Sequence, residues 1–104
     1  MMSLQVISED LELINEIADF LLSESLIANA LISEEMRYKT RSGSTNASVT
    51  VFSLKGISKS LLFGRISHKL RERYGDGTPL FFSEPIISID PSHRELLIRD
   101  LAKV

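Results

Sequence analysis

The chain has few side chains suited to metal or redox chemistry, because it contains two histidines and no cysteine. Neither His68 nor His93 has a second His, Cys or Asp at the spacing that protein metal sites use. A histidine that stands alone on a surface is usually structural or solvated. From these residues we name no metal ligand and expect no bound cofactor.

A glycine-rich turn, Gly-Asp-Gly-Thr at 75–78, is the next candidate for a binding site. Its backbone amides could hold an anion. It is not a P-loop, because no Gly-Lys-Ser/Thr follows. We favour a turn that caps the preceding helix, and we keep Asp76 as a weak candidate for ligand binding.

The residues do not favour an enzyme or an RNA-binding module. There is no Gly-x-Ser-x-Gly elbow, and Glu12 and Glu16 fall on a solvated helix face rather than in an apolar pocket. A ferredoxin-like sheet can bind RNA through stacked aromatic residues. Phe52 is the only aromatic residue of the two predicted central strands, and the pI is about 5.6. We expect a protein without catalytic residues and without a nucleic-acid partner.

Charge is segregated along the chain. Residues 1–36 carry eight acidic and no basic residues, and residues 37–73 carry nine basic residues and only Glu72 as an acid. Such polarity could mark a nucleic-acid surface. The favoured alternative is that an acidic helix and a basic helix lie side by side, with their charges paired or solvated.

With 104 residues the chain is long enough for one modest core, and we predict a single domain, 1–104. It opens with neither a basic nor an apolar leader segment, so we expect no signal peptide. Its apolar runs are too short to span a bilayer. We expect a cytoplasmic protein with no membrane partner.

Three helices are predicted from apolar spacing and capping residues. The first covers about 9–23, with Ser8 as its N-cap. The second begins with Ser58 as N-cap and an Ile57–Leu62 staple, and ends in a left-handed cap at Gly75. The third is short and begins at Asp90-Pro91.

Strands are predicted at 4–7, 26–32, 48–54, 79–83 and 86–89. The second and third form a long hairpin whose polar interval, 36–46, supplies the turn. Both faces of 26–32 and 48–54 carry apolar residues, so a single layer of helices would leave one face uncovered. A neighbouring subunit is the economical cover.

The order strand, helix, strand, strand, helix, strand predicts an α+β chain with the ferredoxin-like βαββαβ arrangement. Its antiparallel sheet carries both main helices on one face. A long hairpin joins the second and third strands, and a short C-terminal helix follows.

Several segments resemble the CutA family, the divalent-cation tolerance proteins of the PII-like group, over nearly the whole chain. Residues 26–32 resemble the family's Leu-Ala-Ala-Cys-Val-Asn-Ile strand, and Tyr38-Lys39 stands at its Tyr-Arg-Trp. Residues 51–55, ending in Lys55, stand at an apolar strand that ends in Lys-Thr. The prolines at 79, 85 and 91 keep the family's spacing.

The resemblance implies a homotrimer joined through sheet edges and the long hairpin, with a role in divalent metal ion tolerance or signalling. It places Lys55 and Tyr38 in an inter-subunit cleft, as ligand-binding residues or as a satisfied interface pair. The family's Cys is Asn29 here, its Trp is Thr40, and its His is Tyr74. A copper site that relies on that Cys or His has lost those ligands.

Two functional hypotheses lead, and a weaker third is an enzyme of the small ferredoxin-like kind. The first is a non-enzymatic, trimeric CutA-like protein, with any ligand, including a divalent metal such as copper, bound between subunits. The alternative is a PII-like regulatory module that senses a small anionic metabolite through Lys55 and the 75–78 turn.

Overall fold

The computed structural model describes all residues, Met1–Val104. It contains five strands and three helices, and the predicted fold class is confirmed. The strands are β1 (Met2–Ser8), β2 (Leu31–Ile32), β3 (Met36–Ser42), β4 (Thr45–Ser58) and β5 (Leu80–Pro85). The helices are α1 (Leu11–Ser23), α2 (Phe63–Tyr74) and α3 (Pro91–Arg99), and short 3-10 turns cover Ser60–Leu62 and Gly75–Gly77. None of the helices is long and apolar enough to cross a bilayer.

The sheet is antiparallel throughout, with the strand order β2-β4-β1-β5. The long strand β4 makes two different pairings. Its C-terminal half lies between β2 and β1, and its N-terminal half pairs only with β3, with Met36 opposite Val51 and Ser42 opposite Thr45. We call residues 36–51 the ribbon, because there the sheet narrows to two strands.

The core lies between the sheet and the helices. Alternate residues of β1, Met2, Leu4 and Val6, are buried against apolar stripes of α1 and α2. The helix residues in this cluster are Ile14, Ile17, Ala18, Leu21, Ile66 and Leu70. The opposite face of the sheet, which we call the outer face, carries the intervening residues of β1. The predicted placement of α1 and α2 on one face is therefore confirmed.

The start of α1 differs from the prediction by two residues. Asp10, not Ser8, is the N-cap, and its carboxylate accepts hydrogen bonds from the backbone N–H groups of Glu12 and Leu13 at 3.0 and 3.2 Å. Ser8 lies at the end of β1, and its hydroxyl accepts a hydrogen bond from the N–H of Asp10 at 3.1 Å. The Asp10 carboxylate accepts hydrogen bonds from two of the free N–H groups in the first turn of the helix. The Ser8 hydroxyl lies two residues earlier and bonds only the N–H of the cap residue.

Asp10→Ala is therefore expected to lower the free energy of unfolding by about 1 kcal/mol, because two N–H groups lose their acceptor. Ser8→Ala is the matched control and should cost less, since its hydroxyl bonds only the cap residue. Urea denaturation followed by circular dichroism would measure both. Equal losses for the two variants would contradict the assignment of Asp10 as the cap.

The predicted strand at 26–32 is largely wrong, because only Leu31 and Ile32 pair as a strand. After α1 the chain turns at Ser25, whose φ is 55°. Leu26 and Ile27 then enter the core, at 1% and 2% exposure. The apolar character of this segment reflects burial within its own subunit, so it does not require a covering neighbour. Leu31, at 71% exposure, is the member that remains uncovered.

The hairpin is longer than predicted, because residues 36–42 are a strand and the turn is confined to Gly43 and Ser44. Strand β4 also continues through Lys55 and Gly56 to Ser58. Ser58 is fully buried and its hydroxyl donates a hydrogen bond to the carbonyl of Leu26 at 2.6 Å, so it does not cap α2. A 3-10 turn leads into α2 instead.

The second half of the chain also differs in detail. α2 ends at Gly75 as predicted, and the φ of 54° is positive, but a ψ of −128° lies outside the left-handed helical region. The two predicted strand pieces are one strand, β5. Residues 86–89 are irregular because only Ile86 keeps a backbone bond, to the carbonyl of Met1 at 3.0 Å. α3 begins at Asp90-Pro91 as predicted.

Candidate functional site

Lys55 lies at the centre of the outer face. It is opposite Gln5 of β1 and opposite Leu31 of β2. Its side chain is exposed and forms no ion pair. The carboxylate of Glu84, on β5 of the same face, accepts a hydrogen bond from the side chain of Gln5 instead. The ammonium group of Lys55 is therefore an unneutralised positive charge in the middle of a sheet.

A groove of about 320 Å³ runs beside this lysine, and we call it the Lys55 groove. It lies where the irregular segment before β2 crosses the edge of the sheet. Asn29 is fixed there, because its side-chain oxygen accepts a hydrogen bond from the backbone N–H of Ile57 at 2.9 Å. The residues around the groove are Ser3, Asn29, Ala30, Leu31, Lys55, Gly56 and Ile57. A lysine ammonium beside small polar groups suits a carboxylate or phosphate, which it binds as a point charge.

Tyr38 lines a second groove, of about 290 Å³, which we call the Tyr38 groove. Tyr38 lies on β3 opposite Val49, and both face the body of the subunit. The other residues around it are mainly apolar: Ile7, Ser8, Glu9, Leu13, Val51, Gly77, Pro79 and Leu80. This groove suits an apolar group with one hydrogen-bonding end more than it suits an anion, because Glu9 adds negative charge.

Asp76 lies exposed in the 3-10 turn Gly75–Gly77, next to the Tyr38 groove. The turn is closed by its own hydrogen bonds: the hydroxyl of Thr78 donates to the carbonyl of Gly75 at 2.7 Å, and the N–H of Gly75 bonds to the carbonyl of Arg71. The Asp76 carboxylate also repels an anion. These contacts favour the interpretation of this segment as a turn and helix cap.

The three candidate residues are therefore not one site within a subunit. Tyr38 and the Asp76 turn adjoin the same groove, whereas Lys55 lines another, and the two grooves share no residue. Sequence reasoning missed Asn29 as a polar neighbour of Lys55, because it placed Asn29 inside an apolar strand. A polar residue in such a run was the signal that could have pointed to it.

The residues do not fit a resident metal ion within one subunit. No group of three or more His, Asp and Glu side chains converges anywhere in the structure. His68 pairs with Glu72 at 3.2 Å, and His93 with Asp90 at 2.8 Å, so each imidazole has a single carboxylate partner. The Asp90–His93 contact is not among those expected from the sequence, although the i,i+3 spacing of the two residues is a signal that could have indicated it. Hydrogen bonds from Ser92 and His93 lower the pKa of the exposed Asp90 carboxyl, as expected for a carboxylate at a helix start.

The acidic and basic helices lie side by side, as the charge pattern predicts. Lys69 pairs with Glu24 at 3.3 Å and Arg73 with Glu16 at 3.7 Å, which also shows that α1 and α2 run in opposite directions. Arg73 lies over the ring of Phe20 at 4.6 Å. The charges of α2 are thus partly neutralised by α1.

Tyr74 joins the same cluster, because its hydroxyl donates a hydrogen bond to Glu16 at 2.7 Å. Burial, and then this bond, raise the pKa of Tyr74 above its ordinary value. The neutral phenol is therefore favoured in the folded state, and this stabilisation is present below about pH 10 and is lost as the pH rises through the folded-state pKa.

In a Tyr38→Phe variant, Tyr74 is the one remaining tyrosine. We expect its phenolate absorbance to appear at higher pH in the folded chain than in urea, and coincident titrations would contradict this.

The fold of this chain is similar to that of one group of solved structures. The architecture is a ferredoxin-like α+β sandwich extended by a two-stranded ribbon. No protein-family model and no curated protein sequence matches the chain. Among solved structures, it is similar over its whole length to proteins described as CutA1 or as divalent cation tolerance proteins, so the chain has the CutA1 fold.

Three of these structures illustrate the TM-scores, sequence identities and coverages of the similarity. The divalent cation tolerance protein of Thermus thermophilus gives a TM-score of 0.86 at 16% identity, over 98% of this chain and 100% of that one. CutA1 of Oryza sativa gives 0.88 at 14% identity, over 99% and 94%. The periplasmic divalent cation tolerance protein CutA of Archaeoglobus fulgidus gives 0.83 at 18% identity, over 96% and 98%. The predicted resemblance to CutA is thus confirmed at the level of the fold.

Proposed function

We propose that this chain is a divergent CutA-like protein with a non-enzymatic role in divalent metal ion tolerance or signalling. One observation carries the proposal: the similarity to proteins described as divalent cation tolerance proteins covers the whole chain, and the ribbon is included. We also propose that the protein is cytoplasmic.

The proposed active form is a homotrimer. The ribbon supports this, because a two-stranded hairpin without further packing is marginally stable in water. Most of its residues are exposed, including the large apolar side chains of Met36 and Val49. The radius of gyration, 14.6 Å, exceeds the roughly 13 Å of a compact chain of this length. The ribbon thus extends away from the body of its own subunit, which leaves its surface available to a neighbouring copy.

The outer face supports the same assembly. Gln5, Lys55 and Glu84 form a polar centre on this face. Leu31 on β2 is 71% exposed and Leu80 on β5 is 50% exposed, so exposed apolar side chains lie on both edge strands. Strands β2 and β5 are the two edges of the sheet and offer unpaired backbone groups. A ring of three subunits would cover these edges and the apolar rim.

In this proposal a ligand binds in clefts between subunits, where the Lys55 groove and the Tyr38 groove of different copies could meet. Metal tolerance does not require a metal held within one subunit, and the donor set of one subunit does not offer such a site. A host strain that lacks the gene should grow less well than its parent at rising copper or zinc concentration, and the restored gene should reverse the loss. Equal growth of both strains would contradict the proposed role.

The second candidate is a PII-like module that senses a small anionic metabolite. The observation that favours it is the unpaired ammonium of Lys55 beside the Lys55 groove. Calorimetric titration with adenine nucleotides, copper and zinc separates the two candidates.

For the sensor, we expect nucleotide binding in the wild-type chain and at least about a tenfold loss in Lys55→Ala, because removing the single cation costs a charge-assisted contact. Lys103→Ala, which changes an exposed lysine outside the groove, is the control and should bind like the wild type. Silence toward every nucleotide would reject the sensor and leave the metal-tolerance proposal standing.

A further inference from the structure

A third groove, of about 290 Å³, lies at the end of the sheet opposite the ribbon, and we call it the Lys59 groove. It forms where β4 ends at Ser58, opposite Met2 of β1, and the chain turns toward α2. Helix α3 forms another side of the groove, because Arg94 and Ile98 lie one helical turn apart and both line it. Its lining includes Lys59, Ser60, Leu61, Arg94, Ile98 and Val104.

The ammonium group of Lys59 is held at one wall of this groove. It donates a hydrogen bond to the carbonyl of Ala102 at 2.9 Å. The chain is fixed there, because the N–H of Ala102 bonds to the carbonyl of Ser25 at 2.8 Å and Arg65 donates to the carbonyl of Lys103 at 3.2 Å. An ammonium group has three donors, so two remain for a ligand.

Two cations and no acidic side chain line the Lys59 groove. Neither Lys59 nor Arg94 forms an ion pair. Glu95 of α3 and Asp100 at the end of this helix do not line the groove. Both positive charges are therefore available to an anion, which an arginine can bind through two hydrogen bonds and a lysine as a point charge.

The other part of the groove is apolar and open to water. Leu61 is 78% exposed and Val104 is 64% exposed, and both lie beside the half-buried Ile98. Leu61 is not needed by the core, because its neighbour Leu62 is the fully buried member of this turn. Exposed apolar side chains that are grouped beside polar residues are typical of a binding site.

We propose that the Lys59 groove binds a small amphiphilic anion, namely a carboxylate or phosphate monoester with a short apolar tail. The anionic head contacts Lys59 and Arg94, and the tail lies against Leu61, Ile98 and Val104. A bare inorganic anion would leave the apolar part in water, and an uncharged apolar molecule would leave both cations without a partner. The charge and the apolar surface together therefore select the ligand class.

The size of the groove limits the ligand. Ligand pockets in proteins range from roughly 300 to 1,000 Å³, and the Lys59 groove lies at the lower end of this range, so it suits a small molecule rather than a large cofactor. The site is independent of the proposed function, since it shares no residue with the Lys55 groove or the Tyr38 groove.

The test titrates octanoate into the isotope-labelled full chain and follows the backbone amide signals by NMR. We expect a Kd of about 1 mM or below, with the shifted signals at residues 59–61 and 94–98. Acetate has the charge without the tail, and 1-octanol has the tail without the charge. Each should bind at least about tenfold more weakly than octanoate, because each makes only part of the contacts.

Arg94→Gln is the decisive variant, because Arg94 is exposed and its loss leaves the core intact. It should weaken octanoate binding by about tenfold, since one charge-assisted contact is lost. Arg99→Gln removes an exposed cation of the same helix outside the groove and should bind like the wild type. Leu61→Ser should weaken octanoate binding and leave the response to acetate unchanged. Circular dichroism verifies that each variant folds.

Several outcomes would overturn the proposal. The first is the absence of any shifted signal up to about 10 mM octanoate, ten times the expected Kd. The second is a set of shifts confined to the Lys55 groove or the Tyr38 groove, and the third is equal binding by Arg94→Gln and Arg99→Gln. If octanoate does not bind but phosphatidylglycerol vesicles sediment with the wild type and not with Arg94→Gln, these residues contact a membrane surface instead.

Discussion

Gly56→Ala is expected to lower the free energy of unfolding by about 3 kcal/mol or more, because a methyl group has no room at this position. A Cβ atom there would lie 2.7 Å from the carbonyl oxygen of Asn29 and 3.1 Å from the Ile27 side chain. The backbone oxygen cannot rotate away. Relief therefore requires the segment before β2 to move off the sheet.

That segment is fastened on both sides of the contact. The N–H of Ala28 bonds to the carbonyl of Ile57 at 2.8 Å, and the N–H of Ile57 bonds to the Asn29 side chain at 2.9 Å. Moving the segment breaks these bonds and deforms the Lys55 groove. The Gly56→Ala variant should consequently lose both stability and any ligand binding that depends on Lys55.

Gly64→Ala is the matched control, since a methyl group at this α2 position would have no other atom within 4 Å and should add about 0.5–1 kcal/mol of stability in a helix. Urea denaturation at one fixed protein concentration measures both variants, because assembly makes stability concentration-dependent. Unfolding midpoints shifted equally for the two glycines would contradict the close approach at Gly56.

The sequence predicts the helices better than the strands, and the reason is physical. The stripes of α1 and α2 repeat at helical spacing, which is a local signal. The ribbon strand β3 has no such signal, because water lies on much of both its faces and its residues need no apolar alternation. A strand without alternation has the pattern of a polar loop, so the interval 36–46 is predicted as a turn although most of it is strand.

The strand prediction for residues 26–32 is wrong for a different reason. A short apolar run fits a buried strand and a buried irregular segment equally well. The irregular conformation depends on Gly56, a residue far along the chain. Because Gly56 has no side chain, residues 27–29 can lie against β4. No pattern within the segment contains that contact.

The candidate site is predictable only in part. Lys55 and Tyr38 come from the family resemblance, and their burial and neighbours cannot be read from their own positions. Their separation into two grooves follows from the register of β4, in which Lys55 pairs with β1 and β2 while Val49 pairs with Tyr38 further along. Register is set by the packing of the whole sheet.

Two apolar residues of the same short segment should respond very differently to truncation. Ile27→Ala is expected to cost about 2–5 kcal/mol in unfolding free energy, because Ile27 is 2% exposed and belongs to the main core cluster. Leu31→Ala should change the stability of an isolated subunit by less than about 0.5 kcal/mol, since Leu31 is 71% exposed. Urea denaturation measures the first effect.

The proposed trimer changes the expectation for Leu31 alone. If a neighbouring subunit covers the outer face, Leu31→Ala loses buried apolar area at the interface and should weaken assembly in sedimentation, with the fold of each subunit preserved. Ile27→Ala should instead reduce the folded fraction, whatever the assembly state. A stable Ile27→Ala chain would contradict the burial of Ile27, and unchanged assembly of Leu31→Ala would show that this part of the outer face stays in water.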